Sequence, residues 1–192
     1  MRTIHVVGLD VSLASTGVAT LGCTPDDRWT FHAYTLPTAP VAAGGGAPEP
    51  LLLDRMDYVV STVAVACEHA DVVAIERPAF GAKGNALSTL AGLWWLTFRR
   101  VSRLDVPVVI VSASSAKKYA TGNGNAAKRD MSRATVRMFP DIETRSGDED
   151  DALVIAAVAA DMAELPVPWD RTNYRRAALA AVARPDDLEP FA

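Results

Sequence analysis

Residues 3–12 read TIHVVGLDVS. Apolar and β-branched side chains fill the run from Ile4 to Leu9, too short for a core helix and well suited to a buried strand, and Asp10 stands at its end. The same pattern returns in DVVAIE (71–76), which ends on Glu76, and in VPVVIVS (106–112). Between the first two runs, STGVATLG (15–22) and WTFHAYTL (29–36) read as further strands separated by turn residues, so the first three strands are expected to form an antiparallel meander. PTAPVAAGGGAPEP (37–50) and RPAFGAKG (77–84) read as loops.

Helical spacing fills the intervals. LLLDRMDYVVSTVAVACEHA (51–70) repeats apolar residues at Leu52, Met56, Val59, Val60, Val63 and Cys67. NALSTLAGLWWLTFRRVSRL (85–104) does so at Leu87, Leu90, Ala91, Trp94, Phe98 and Val101, with Trp95 and Leu96 widening the face. ASSAKKYA (113–120) reads as a short helix, AAKRDMSRATVRMF (126–139) as a helix capped by Asn125, and DEDDALVIAAVAADMAEL (148–165) as a largely buried helix with carboxylates in its first turn. The expected fold is α/β, a mixed sheet covered by helices, in a domain over residues 1–165 followed by a tail, 166–192, with one basic helical piece, NYRRAALAAVA.

The bulk composition describes an ordinary soluble globular chain: 49% hydrophobic, 22% charged. No stretch reaches the roughly 18 uncharged apolar residues of a membrane span, and MRTIHVVGLD has no basic segment before a long apolar run, so a cytoplasmic location is expected. Cys23 and Cys67 belong to no metal or disulfide motif and read as thiols in a reducing compartment. The net charge of −4 argues against a polyanion partner, but residues 96–140 carry nine basic side chains against Asp105 and Asp130. That segment can face nucleic acid.

Three acidic sites share one placement. Asp10 and Glu76 each end a strand, and Asp148 and Asp151 sit three residues apart on one face of a helix start. If strands one and four are parallel neighbours, Asp10 and Glu76 meet at the carboxyl edge, where such folds carry their sites. Four converging carboxylates are tolerable around two Mg²⁺ or Mn²⁺ ions, hard cations that take oxygen ligands and can clamp a phosphodiester. His5, His32 and His69 lie in no catalytic pattern. TGNGNAAK (121–128) is not a Walker loop, but its glycines let backbone amides approach a phosphate, with Lys128 in the next turn. Arg129, Arg133 and Arg137 recur every four residues as a basic stripe suited to phosphate contacts, and for Arg137 a merely solvated position reads equally well.

GLDVSLASTGVA, VVAIERPAFGAKGNA, KKYATGNGNAAKRDM and DEDDALVIA occur in the order and spacing of the RuvC Holliday-junction resolvases, within the ribonuclease H-like superfamily, and the chain resembles that family over about residues 3–163. The resemblance implies a five-stranded mixed sheet with helices on both faces and a site of Asp10, Glu76, Asp148 and Asp151 holding two Mg²⁺ ions. It also implies catalytic assistance from Lys128, and DNA contacts from Phe80, Lys83, Lys117, Lys118, Lys128, Arg129 and Arg133. The implied partner is a four-way DNA junction, cut by a homodimer joined through the helix 85–104, whose tryptophans exceed one stripe.

Val11-Ser12 stands where the family commonly has Pro-Gly, and Glu149 and Asp150 add two carboxylates, so that Asp150 competes for the role of ligand. These departures imply a divergent branch. The shared acids also fit a ribonuclease H acting on RNA/DNA hybrids, and a junction-binding protein without activity is the reading from another class. An actin-like or sugar-kinase ATPase begins with a similar strand, but 192 residues are too few for its two lobes.

Overall fold

In a computed structural model the described residues are 2–37, 49–78 and 85–191. Strands β1 (Ile4–Asp10), β2 (Ser15–Cys23) and β3 (Trp29–Pro37) form the expected meander. Helix α1 (Glu49–Cys67) leads to β4 (Val72–Arg77), α2 (Asn85–Val101) to β5 (Val108–Ser112), and α3 (Ala113–Thr121), α4 (Lys128–Met138), α5 (Gly147–Met162) and α6 (Asn173–Leu179) follow. The sheet order is β3-β2-β1-β4-β5, with β4 parallel to both β1 and β5. This is the five-stranded mixed sheet anticipated from sequence.

The period of two along each strand divides the core. Val7, Leu9, Val73 and Ile75 point to one face, where they pack with Met56, Val59, Val63 and Cys67 of α1 and Leu93, Trp94 and Val101 of α2. Val6, Val72 and Ala74 point to the other face, against Ala152 to Ala160 of α5 and buried residues of α3 and α4. Helix α5 is buried almost all round, as its unbroken apolar run requires.

Two glycines let α5 lie so close. A Cβ on Gly8 would stand 2.2 Å from the Ala152 carbonyl oxygen, and one on Gly17 would stand 2.1 Å from that of Asp148. Only backbone hydrogen fits there, so the absence of two side chains sets the depth at which the first turn of α5 meets β1 and β2. Gly17→Ala is expected to push this turn off the sheet, costing about 3 kcal/mol, the upper range for overpacking a core. Thermal melting should report it as a fall of roughly 10 °C.

The expected cap on α4 is corrected. The N-cap residue is Ala127, with no side-chain hydrogen bond, and the Asn125 amide bonds instead to Asn123 Oδ1 at 3.0 Å. The turn satisfies itself locally, as Asn-rich turns do. The segment after Pro166 seats Trp169, Ala178, Val182 and Leu188 in the same core cluster as α5. Buried Tyr119 of α3 donates to Asp161 Oδ2 at 2.9 Å, Trp169 Nε1 donates to the Tyr119 hydroxyl at 2.6 Å, and Arg171 Nε reaches Asp161 Oδ1 at 2.7 Å. The segment carrying Trp169 and Arg171 thus clamps α3 to α5. Both cysteines are free and buried, and burial pushes the Cys67 thiol up to about 12. Among the described residues no helix is long and apolar enough to cross a membrane.

Candidate active site

Leu9 pairs with Ile75 in the parallel register of β1 and β4, so Asp10 and Glu76 are the next residues on neighbouring strands. Each lies two residues beyond one facing α5, Gly8 and Ala74, and alternation therefore turns both carboxylates toward that helix. Behind them Trp94 Nε1 donates to the Glu76 carbonyl at 2.7 Å, and Arg55 Nη2 donates to the Leu13 carbonyl at 2.7 Å, tying the end of β4 and the turn after Asp10 to the helices below. Within that turn the Ser12 hydroxyl accepts from the Ser15 amide at 3.0 Å, and the Thr16 hydroxyl donates to the Ser12 carbonyl at 2.6 Å. Serine and threonine hydroxyls thus close the turn.

The opening of α5 sorts its four acids by direction. Ser146 caps the helix through the Glu149 amide at 3.2 Å, and Glu149 Oε2 returns to the Arg145 amide at 2.7 Å, a variant of the reciprocal capping box. Asp150 is buried, accepting from Ser132 Oγ at 2.5 Å and Thr144 Oγ1 at 2.7 Å. These two carboxylates are occupied by the fold. Asp148 and Asp151 are left half-buried, with no hydrogen bond or ion pair among the described residues, and the same is true of Asp10 and Glu76. Asp150→Ala is therefore expected to lower the melting temperature by orphaning two part-buried hydroxyls, whereas Asp151→Asn should raise it at pH 8. A matched pair of melting curves checks both.

The charges of the four acids act on one another. Burial raises Asp10 to about 7, aided by the charges of Asp151 and Asp148 and opposed by Lys128. Burial raises Glu76 to about 8, aided by Asp10 and Asp151 and opposed by Lys117. Burial again, then Asp150, lift Asp151 to about 6, with Asp148 adding to the rise and Lys128 and Lys117 opposing it. Two lysines and four carboxylates from β1, β4, α3, α4 and α5 thus interact at the carboxyl edge of the sheet.

This donor set is all hard oxygen and carries more negative charge than its two lysines offset, which fits Mg²⁺ or Mn²⁺ and not a softer metal. Among the described residues no three Asp, Glu, His or Cys side chains stand close enough to wrap one ion. The four like charges share an edge without forming a closed cage.

Lys117 and Lys118 lie half-buried on α3, and Arg129 and Arg133 are exposed on α4, Arg133 within 3.8 Å of Asp130. Phe80 and Lys83 lie outside the described residues. Sequence reasoning missed Ser132 and Thr144, whose role in holding Asp150 depends on α4 packing beside α5. It also missed Gly8 and Gly17, for which only a glycine on the inner face of a strand could have been a signal.

No protein-family model and no curated protein sequence matches the chain. Solved structures do. RuvC of Thermus thermophilus superposes with a TM-score of 0.65 at 18% identity, covering 85% of this chain and 98% of that one. The same protein in complex with a Holliday junction substrate gives 0.65 at 16%, covering 85% and 97%. The yeast mitochondrial Holliday junction resolvase Ydc2 gives 0.51 at 12%, covering 81% and 77%. The chain therefore has the ribonuclease H-like fold of the RuvC resolvases, over nearly the whole length of the Thermus protein.

Proposed function

We propose that the protein is a divalent-metal-dependent endonuclease that resolves four-way DNA junctions by paired nicks. The observation that carries this reading is the meeting of Asp10, Glu76, Asp148 and Asp151 with Lys117 and Lys128 at one sheet edge, in a fold shared with a protein solved on a Holliday junction. Two Mg²⁺ or Mn²⁺ ions held by the four carboxylates would supply an activated water and a stabilised leaving oxygen. Partial burial of the four carboxylates strengthens the charge interactions among them. Lys117 and Lys128 offset the charge of the scissile phosphate, which the acids alone would repel. In-line attack at phosphorus with departure of O3′ leaves 5′-phosphate and 3′-hydroxyl ends. Lys118, Arg129 and Arg133, with Phe80 and Lys83, extend the contact to the arms. Contacts of this type position the duplex without reading its sequence.

Symmetric nicking requires two sites related by a two-fold axis. Trp95 is 58% and Leu96 40% exposed on α2, beside buried Trp94 and half-buried Phe98, which stack at 5.2 Å. Exposed aromatic and aliphatic surface on one helix supports a homodimer through α2.

The test incubates the protein with a labelled mobile four-way junction and, in parallel, a labelled RNA/DNA hybrid, with and without Mg²⁺. Metal-dependent nicked duplexes from the junction are expected. Cleavage of the hybrid alone would transfer the site to ribonuclease H chemistry, and binding of the junction with no cleavage in Mg²⁺ or Mn²⁺ would leave a binding protein only.

A further inference from the structure

A cavity of about 430 Å³ opens between α4 and the C-terminal segment, away from the carboxylates, with Ala134, Arg137, Met138, Trp169, Tyr174 and Arg175 in its wall. Arg175 is 6% exposed. Its Nε donates to the Tyr119 carbonyl at 3.2 Å and its Nη1 to the Asp170 carbonyl at 2.5 Å. The guanidinium carbon stands 5.4 Å from the Tyr119 ring centre and 5.8 Å from that of Tyr174. No carboxylate pairs with it, and Nη2, with no hydrogen-bond partner among the described residues, is left open to the solvent of the cavity. Its neighbours are otherwise: Arg171 has Asp161 and the Leu165 carbonyl, and Arg184 has Glu164 and the carbonyls of Met162 and Leu188. A buried cation met only by neutral groups is costly, and an anion in the cavity would relieve it.

Two further features point the cavity toward nucleic acid. Exposed Arg137 stands in the same wall and closes the basic stripe of α4. A second hollow of about 280 Å³, lined by Thr121, Asn123, Arg133 and again Arg137, leads back along that helix. The helix begins at Lys128, beside the carboxylates. The nine residue steps from Lys128 to Arg137 span about 14 Å, or about four phosphates of one duplex strand. Asp141 and Asp170 also border the cavity, but both are exposed and screened by water, whereas Arg175 is largely buried.

We propose that this cavity binds a backbone phosphate of a junction arm through Arg137 and Arg175, remote from the scissile bond. The proposal rests on the junction-cutting reading above. The guanidinium fork of Arg175, preset by two carbonyls and two rings, donates through Nη2, and Arg137 closes over the phosphate from the solvent side. The site selects no base. It fixes the angle at which an arm leaves the cutting centre.

The test measures binding of a labelled four-way junction in Ca²⁺ by fluorescence anisotropy across a salt series, for the native protein, Arg137→Gln and Arg175→Lys. Each variant is expected to bind roughly tenfold more weakly and to lower the slope of log affinity against log salt by about 1. Junctions carrying single neutral methylphosphonates then locate the contact. One arm position several nucleotides from the cut should weaken the native protein and leave Arg137→Gln unaffected. Arg137 is exposed, so that variant folds even if Arg175→Lys does not. Unchanged affinity and slope in Arg137→Gln, or a methylphosphonate scan identical to the native one, overturns the proposal while leaving junction cleavage standing. Stabilisation of the native protein by inorganic phosphate together with a flat scan would assign the cavity to a free anion and overturn it likewise. A native protein that binds no junction sinks the functional reading itself.

Discussion

Asp10→Asn is expected to abolish metal-dependent junction cleavage, by at least about 10³-fold, while junction binding persists. The substitution keeps shape and volume but removes the charge that Asp151, Asp148 and Glu76 all feel. A carboxylate that holds a catalytic metal ion would contribute several kcal/mol to stabilising the transition state, and about 4 kcal/mol is a factor of 10³ in rate. The same change relieves repulsion in the metal-free protein, so the variant should melt at a higher temperature than the native chain at pH 8. Loss of activity with a gain in stability separates a ligand from a structural residue. Asp150, held by Ser132 and Thr144, is expected to behave in the opposite way.

The second large effect is on stability against pH. Asp10, Glu76 and Asp151 have folded-state values of about 7, 8 and 6, against ordinary values of 3.8, 4.5 and 3.8. Because these values are raised, the folded protein holds more protons than the unfolded chain between about pH 4 and pH 8. Stability is fully present below pH 4 and is lost as pH climbs through 6 to 8. Asp10 alone, ionised in its raised state, costs about 4 kcal/mol, and because the three groups interact their losses do not add. In a chelator the melting temperature should therefore fall by roughly 10 °C or more from pH 5 to pH 8. Millimolar Mg²⁺ should restore most of it at pH 8 and do little at pH 5, since protons and cations compete for the same oxygens. Asp10→Asn should flatten the pH slope. A slope of opposite sign, or Mg²⁺ acting equally at both pH values, contradicts the pocket described here.

Most of the framework is legible in the chain because local patterns agree with global ones. The runs 4–9, 71–75 and 106–111 are too short and too β-branched for core helices, and their ends place Asp10 and Glu76 side by side as soon as β1 and β4 are neighbours. The spacing of Asp148 and Asp151 places both on the face of α5 turned to that edge, with Glu149 and Asp150 turned elsewhere. What a sequence of four adjacent acids does not disclose is which two are already occupied. That depends on the hydroxyls of Ser132 and Thr144 and on the amide of Arg145, contributed by neighbouring segments. Asn125 fails as a cap for a similar reason: its backbone amide is engaged by Asn123, and α4 starts three residues past it, at Lys128, without a side-chain cap. The C-terminal segment reads as an irregular tail with one basic helical piece, yet Trp169, Ala178, Val182 and Leu188 are core residues. Trp169 and Leu188 are single apolar residues in irregular stretches that carry no period, and Ala178 and Val182, in and just past α6, are buried because of the surface that α3, α4 and α5 leave open.

The convergence of the four carboxylates on shared divalent ions is tested most directly by anomalous diffraction from crystals soaked in Mn²⁺. The account predicts two manganese peaks about 4 Å apart, bounded by Asp10, Glu76, Asp148 and Asp151, and lost together in Asp10→Asn. Peaks at the Glu149 or Asp150 carboxylates, or no manganese between β1 and α5 at saturating metal, would contradict it.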